Sequence, residues 1–180
     1  ELSRKIMRML LLSIAVLLLL LPAGVSAQGI PMGAMEFKTA SSFEKDKKII
    51  ESGIEGAVED MSFITRPIAR SKLKKTNLPL KVLKFKITPK KVTIQHDSRN
   101  PAVSDVDGKP TKWKRQDGDE FFLSQVVKPQ LIMQTFKDGD GKKVLKYKFS
   151  KDYKKLTMEV IVTSPKLAGP LKYTLNYVRK

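Results

Sequence analysis

From Leu80 to the C-terminus apolar residues fall on every second position, and that period is the strongest constraint on what this chain can become. Leu83, Phe85 and Ile87 alternate with Lys84 and Lys86, and Val92 and Ile94 alternate with Lys91, Thr93 and Gln95. The pattern returns at Leu145, Tyr147 and Phe149, at Leu156, Met158, Val160 and Val162, and at Leu171, Tyr173, Leu175 and Tyr177. Shorter strands fit Thr111–Lys114, Glu120–Ser124 and Gln130–Lys137. Turn residues separate them: Thr88-Pro89, Asp107-Gly108, Asp117-Gly118, Asp138-Gly139-Asp140-Gly141 and Gly169-Pro170. Successive residues of a strand point to opposite faces, so each segment carries one apolar face and one lysine-bearing face. The reading is mainly β: a curved antiparallel meander or partial barrel of about eight strands, over residues 80–179.

Upstream the period changes. Ile50, Ile54, Ala57, Val58, Met61, Ile64 and Ile68 recur at three- and four-residue steps, the stripe of an N-terminal helix spanning 44–75. Ser41 or Ser42 suits its cap, and Glu44 and Asp46 suit the positive end of its dipole. Pro67 either kinks this helix or ends it near Phe63, with a second helix then starting at Thr65 as cap. Residues 28–43 mix Gly, Pro, Met, Ser and Thr without period and read as a flexible lead-in. Residues 44–180 read as one domain.

The first 27 residues have a different character. Arg4, Lys5 and Arg8 precede an apolar run from Met9 to Leu21, broken by Pro22 and Gly24 and followed by Val25-Ser26-Ala27. These are the three parts of a cleavable secretory signal, with cleavage expected before Gln28. The apolar run is shorter than the roughly 20 residues a spanning helix needs. The expectation is therefore an exported protein, periplasmic or extracellular. The chain has no cysteine, so disulfides, thiol nucleophiles and thiolate metal sites are excluded.

Chemistry-bearing motifs are sparse. The one histidine, His96, is followed by Asp97 and Ser98, and adjacent side chains point apart, which defeats a nucleophile–base–orienter relay. A hydrolase built on His96 is the weakest reading. Asp138-Gly139-Asp140-Gly141 and Asp105-Val106-Asp107-Gly108 look like calcium loops, but the position an EF-hand fills with a carboxylate holds Phe149 or Gln116. Phosphate-cradling glycine motifs are absent. No cofactor, metal site or enzymatic activity is expected.

A formal net charge of +17 remains the largest physical signal. The lysines of the strands and turns could dock on an anionic envelope polymer or a partner protein, or could simply solvate an outer face and guard strand edges. Specific nucleic-acid binding is disfavoured, because no aromatic-flanked basic strand accompanies the charge. Arg66 and Arg70 share a helix face. They could clamp an anionic head group or tie the helix down. On the apolar face Phe85, Phe121, Tyr147, Phe149, Tyr173 and Tyr177, with Trp113 nearby, would line a pocket if the sheet encloses space and form a core if it does not.

With this layout, the Thr65-Arg66-Pro67-Ile68-Ala69-Arg70 segment followed by a meander resembles exported bacterial proteins of unknown function. The sheet is similar to the barrels of lipocalins and fatty-acid-binding proteins. The Gly-x-Trp of lipocalins is missing, since the only tryptophan is Trp113 in mid-sheet. What the resemblance implies is a curved sheet able to hold a lipid or other apolar small molecule, with Arg66 or Arg70 meeting its charge.

Overall fold

The computed structural model describes residues 29–180, so the expected leader and its cleavage point lie outside the described residues. The chain forms strand β1 (Gly33–Thr39), helices α1 (Phe43–Val58) and α2 (Thr65–Thr76), then nine further strands. These are β2 (Val82–Ile87), β3 (Lys91–His96), β4 (Ala102–Asp105), β5 (Thr111–Lys114), β6 (Glu120–Lys128), β7 (Leu131–Lys137), β8 (Lys142–Phe149), β9 (Lys155–Thr163) and β10 (Leu171–Arg179).

All ten strands belong to one antiparallel sheet ordered β4-β3-β2-β1-β10-β9-β8-β7-β6-β5. The meander is a nearly closed barrel. Two strands exceed the expected count. Gly33–Thr39, expected within a flexible lead-in, is β1: Met35 and Phe37 face inward and the strand lies between β2 and β10. Its inward residues, Met35 and Phe37, follow a run of Gly, Ile, Pro, Met and Ala that hides the alternation. Ala102–Asp105 is β4, whose inward residues are only Ala102 and Ser104. The sheet therefore reaches outside 80–179.

Of the two readings of 44–75, a kinked helix or two helices, the structure has two, the first ending at Val58 rather than near Phe63 and the second starting at Thr65. Ser42 Oγ accepts from Lys45 N–H at 3.3 Å and caps α1. The second helix starts at Thr65, but Ser62 supplies its side-chain acceptor, taking the Thr65 N–H at 3.3 Å. Pro67 sits in that first turn, where a missing N–H leaves no intrahelical bond unmade. Of the expected stripe, Ile50, Ile54, Ala57 and Val58 are buried, Met61 is partly buried, and Ile64 is 72 % exposed. The break at Val58 resets the helical phase, so the stripe does not carry through. No helix among the described residues is long and apolar enough to cross a membrane.

The edges of the sheet approach each other where β4 lies beside β6. Gln125 Nε2 donates to Ala102 C=O at 3.1 Å, Trp113 Nε1 donates to Pro101 C=O at 3.0 Å, and Asp107 bridges to Val126. Both helices sit at the end of the barrel where β1 leaves and β2 returns. There α1 packs so closely on β10 that a Cβ at Gly53 would lie 2.6 Å from the Lys172 carbonyl oxygen. Gly56, three residues on, has open space around it.

These two glycines separate helix propensity from packing. Gly56→Ala should raise stability by about 1 kcal/mol, the usual gain for alanine in a helix. Gly53→Ala should lower it by about 1–3 kcal/mol, because the obstructing atom is backbone and cannot rotate away. Urea unfolding of both variants measures the contrast, and equal gains would contradict the packing described.

Candidate functional site

The barrel interior is layered. Its lower layer is an aromatic cluster from facing walls: Phe37 of β1, Phe85 of β2, and Tyr147 and Phe149 of β8, with ring centroids 5.2–5.8 Å apart. Tyr153 continues it beside Phe149. The expected lining residues Phe85, Tyr147 and Phe149 are thus brought together, but against one another. This half of the barrel is filled.

Above it polar side chains enter on the inner face. His96 Nε2 lies 2.6 Å from the Tyr147 hydroxyl, and that hydroxyl donates to Gln134 Oε1 at 2.8 Å. Gln125 and Gln134 stand opposite each other on β6 and β7, both fully buried. Gln125 Oε1 and Gln134 Nε2 have no partner among the described residues, and neither has the Tyr177 hydroxyl. Buried polar atoms are nearly always hydrogen-bonded, so three orphans inside one barrel need a reason. Burial raises the Tyr147, Tyr173 and Tyr177 hydroxyls above the usual phenol range. For His96, burial first and then the charges of Lys143 and Arg99 push its pKa down to about 3. The imidazole is neutral at ordinary pH.

The third layer lies at the helix-covered mouth. Lys143, at the start of β8, shares the inner face with Leu145, Tyr147 and Phe149. Its Nζ donates to Asn77 Oδ1 at 2.9 Å, and the Tyr173 hydroxyl donates to the same oxygen at 3.3 Å. Asn77 is held by α2, its Nδ2 donating to Leu73 C=O at 3.0 Å. Burial, with Arg99 and Arg115 nearby, pushes the Lys143 pKa down to about 8. Opposite Lys143 on β7 is Phe136, which packs with Trp113 and Phe121 at centroid distances of 5.0–6.3 Å. All three rings are only partly buried. The Arg115 guanidinium lies over Phe121 at 5.2 Å.

The remaining expected residues have other positions. Arg66 donates to the Glu59 and Met61 carbonyls at the end of α1. Arg70 forms a two-pronged pair with Glu55 at 2.6–3.0 Å. Both guanidinium groups are engaged in joining the two helices, away from the inner face. The Asp138 side chain accepts from Asp140 N–H and Gly141 N–H, closing a hairpin turn, while Asp140 pairs with Lys166 and Lys72. Among the described residues no three His, Asp or Glu side chains are placed to hold a metal ion. Outside the barrel, Lys146 and Lys148 share Glu159, and an open cleft of about 380 Å³ lies between β1, α1 and the start of β2.

Lys143, Gln125, Gln134, Asn77 and Arg99 were missed as site residues in the sequence. The signal for the first three was phase: each falls on the apolar register of its own strand.

No protein-family model matches the chain, and no curated protein does. Solved structures resemble it in outline. Fatty-acid-binding protein 1 of Echinococcus granulosus is 14% identical, with a TM-score of 0.45 over 82% of this chain and 96% of its own. A Schistosoma mansoni fatty-acid-binding protein in complex with arachidonic acid is 19% identical, with a TM-score of 0.45 over 88% and 99%. Zebrafish ileal bile-acid-binding protein complexed with cholic acid is 12% identical, with a TM-score of 0.43 over 83% and 98%. At such values the likeness is one of outline, and the interior of this chain has to speak for itself.

The His96 shift makes stability depend on pH. Its folded pKa near 3 lies below the unfolded value of about 6.5. Above pH 6.5 neither state carries the proton. Below it the unfolded chain takes up the proton first, so stability falls as pH falls through the window from about 6.5 to 3. Between pH 7.5 and 5 the loss should approach about 2 kcal/mol. His96→Gln should flatten that interval in denaturant melts, and a wild-type profile already flat there would show that the imidazole is free to charge in the folded state.

Proposed function

We propose that the chain is a non-enzymatic binding protein that takes a small apolar or amphiphilic molecule into the helix-covered half of its barrel. The observation that carries this reading is the pair of orphaned amide atoms, Gln125 Oε1 and Gln134 Nε2, on the inner face of the barrel. A core selected for stability alone would fill these positions with aliphatic side chains, because an unmade buried hydrogen bond costs about 1–3 kcal/mol. A few convergent polar groups in an apolar surround are the usual makeup of a small-molecule site. The half-buried rings of Trp113, Phe121 and Phe136 beside them offer contact area that the closed aromatic cluster below does not. Of the helix residues that could fill the barrel end, Ile54 is buried in the core and Met61 packs against it, while Ile64 points to solvent. In the exported setting that residues 1–27 imply, the cargo would be a molecule met outside the cytoplasm.

Trp113 makes the reading testable. A neutral fluorescent apolar probe, 1-aminoanthracene, should bind saturably near one per chain, quench Trp113 fluorescence by energy transfer and be displaced by unlabelled alkyl amphiphiles. Gln134→Leu should retain the fold and change probe affinity several-fold. Unsaturable, weak partitioning of the probe in wild type would end the proposal.

A further inference from the structure

Lys143 is the one inward-facing lysine on β8, and its surroundings lack a counter-charge. Among the described residues no carboxylate lies within ion-pair distance of it: its Nζ contacts a neutral amide oxygen, Asn77 Oδ1. The charged groups that bear on it, Arg99 and Arg115, are cations. Arg115 is neutralised by Asp117 and Asp119. Arg99, held in the turn after β3 by its N–H to His96 C=O, forms no ion pair with a described residue. His96 adds no negative charge, being hydrogen-bonded to a phenol. Lys143 is half-buried, and a partly desolvated ammonium among cations is stabilised when an anion joins it.

A second observation points to the same place. Gln134 is completely buried and its Nε2 donor is unused. It stands opposite Leu145, while Lys143 stands opposite Phe136, so Gln134 and Lys143 are diagonal neighbours on the inner face of β7 and β8. Diagonal positions of this kind are roughly 7–8 Å apart, a gap that long side chains span from both sides. A lysine and an orphaned amide donor thus border one region, and three partly exposed aromatic rings adjoin it.

We propose that Lys143 and Gln134 form an anion site at the barrel mouth, which takes the acidic head group of the ligand while its apolar body lies on Trp113, Phe121 and Phe136. The site rests on the binding function proposed above and adds to it the charge of the ligand and its orientation. The ligand is a monoanionic amphiphile, carboxylate or sulfonate, with its head beneath the end of α2. Arg66 and Arg70, engaged with the end of α1 and with Glu55, have no part in it. Arg99 contributes long-range attraction from the rim.

Dodecanoate and dodecanol share a tail and differ in charge, and their displacement of bound 1-aminoanthracene isolates the head-group contribution. Wild type should bind dodecanoate at least ten-fold more tightly than dodecanol. Lys143→Met should close that gap, read as the ratio of dodecanoate to dodecanol affinity within the variant, and Lys143→Arg should restore most of it. Gln134→Leu should weaken dodecanoate more than dodecanol. Urea melts of each variant confirm that it folds. If wild type binds the neutral probe but shows no preference for dodecanoate, or if Lys143→Met leaves the preference intact, the anion site is wrong and the binding function stands. If the neutral probe itself fails to bind wild type, the binding function is what fails.

Discussion

The pairing of the two ends of the described chain holds this molecule together. β1 lies between β2 and β10, matching β2 from Gly33↔Ile87 to Lys38↔Val82 and β10 from Phe37↔Arg179 to Thr39↔Tyr177. Without it, β2–β4 and β5–β10 would be two separate meanders, each with unpaired edges of the kind that invite aggregation. With it, a linear order of hairpins becomes one sheet that bends round until β4 meets β6. The helices follow from the same pairing. They are the connection from β1 to β2 and must cross the barrel end where those strands terminate. Asp46 fixes the crossing: fully within the structure at the start of α1, it accepts from Thr39 Oγ1 at 2.6 Å and from Ser41 Oγ, joining helix to strand.

Much of this was legible from alternation alone, and the failures share a cause. Strands β2 and β8–β10 contain three or more in-phase apolar side chains, enough to reveal the period, and β3 is read beside β2 from two, Val92 and Ile94. β1 and β4 lack such a run, and their existence depends on partners distant in sequence, which local pattern cannot supply. The helical stripe was read through Val58 into Ile64 and Ile68 because steps of three and four residues survive a short non-helical link. In three dimensions that link turns the second helix about its axis and leaves Ile64 and Ile68 in water.

Site residues were less legible than the fold, for a related reason. Large aromatic residues were the obvious candidates, yet Phe85, Tyr147 and Phe149 meet across the barrel and stabilise it by contact with one another. The polar residues that matter were hidden by the assumption that polar means outward. Gln125 falls between Leu123 and Val127, Gln134 between Ile132 and Phe136, and Lys143 two positions before Leu145. Each breaks the apolar register from within. Arg66 and Arg70 drew attention through spacing, but their hydrogen bonds show how readily a helix–helix junction absorbs a pair of guanidinium groups.

Phase therefore divides the lysines of this chain into two chemical kinds. Lys84, Lys86 and Lys146 are on the outer face, where they meet water and, for Lys146, the Glu159 carboxylate. Their contribution is to solubility and to protection of the sheet. Lys143 falls on the opposite phase of β8, half-buried on the inner face, with Arg99 and Arg115 as the charges that bear on it. The large positive charge of the chain says little about function because most of it is solvated. A single half-buried ammonium turned inward carries more information, since among the described residues its one partner is an amide oxygen.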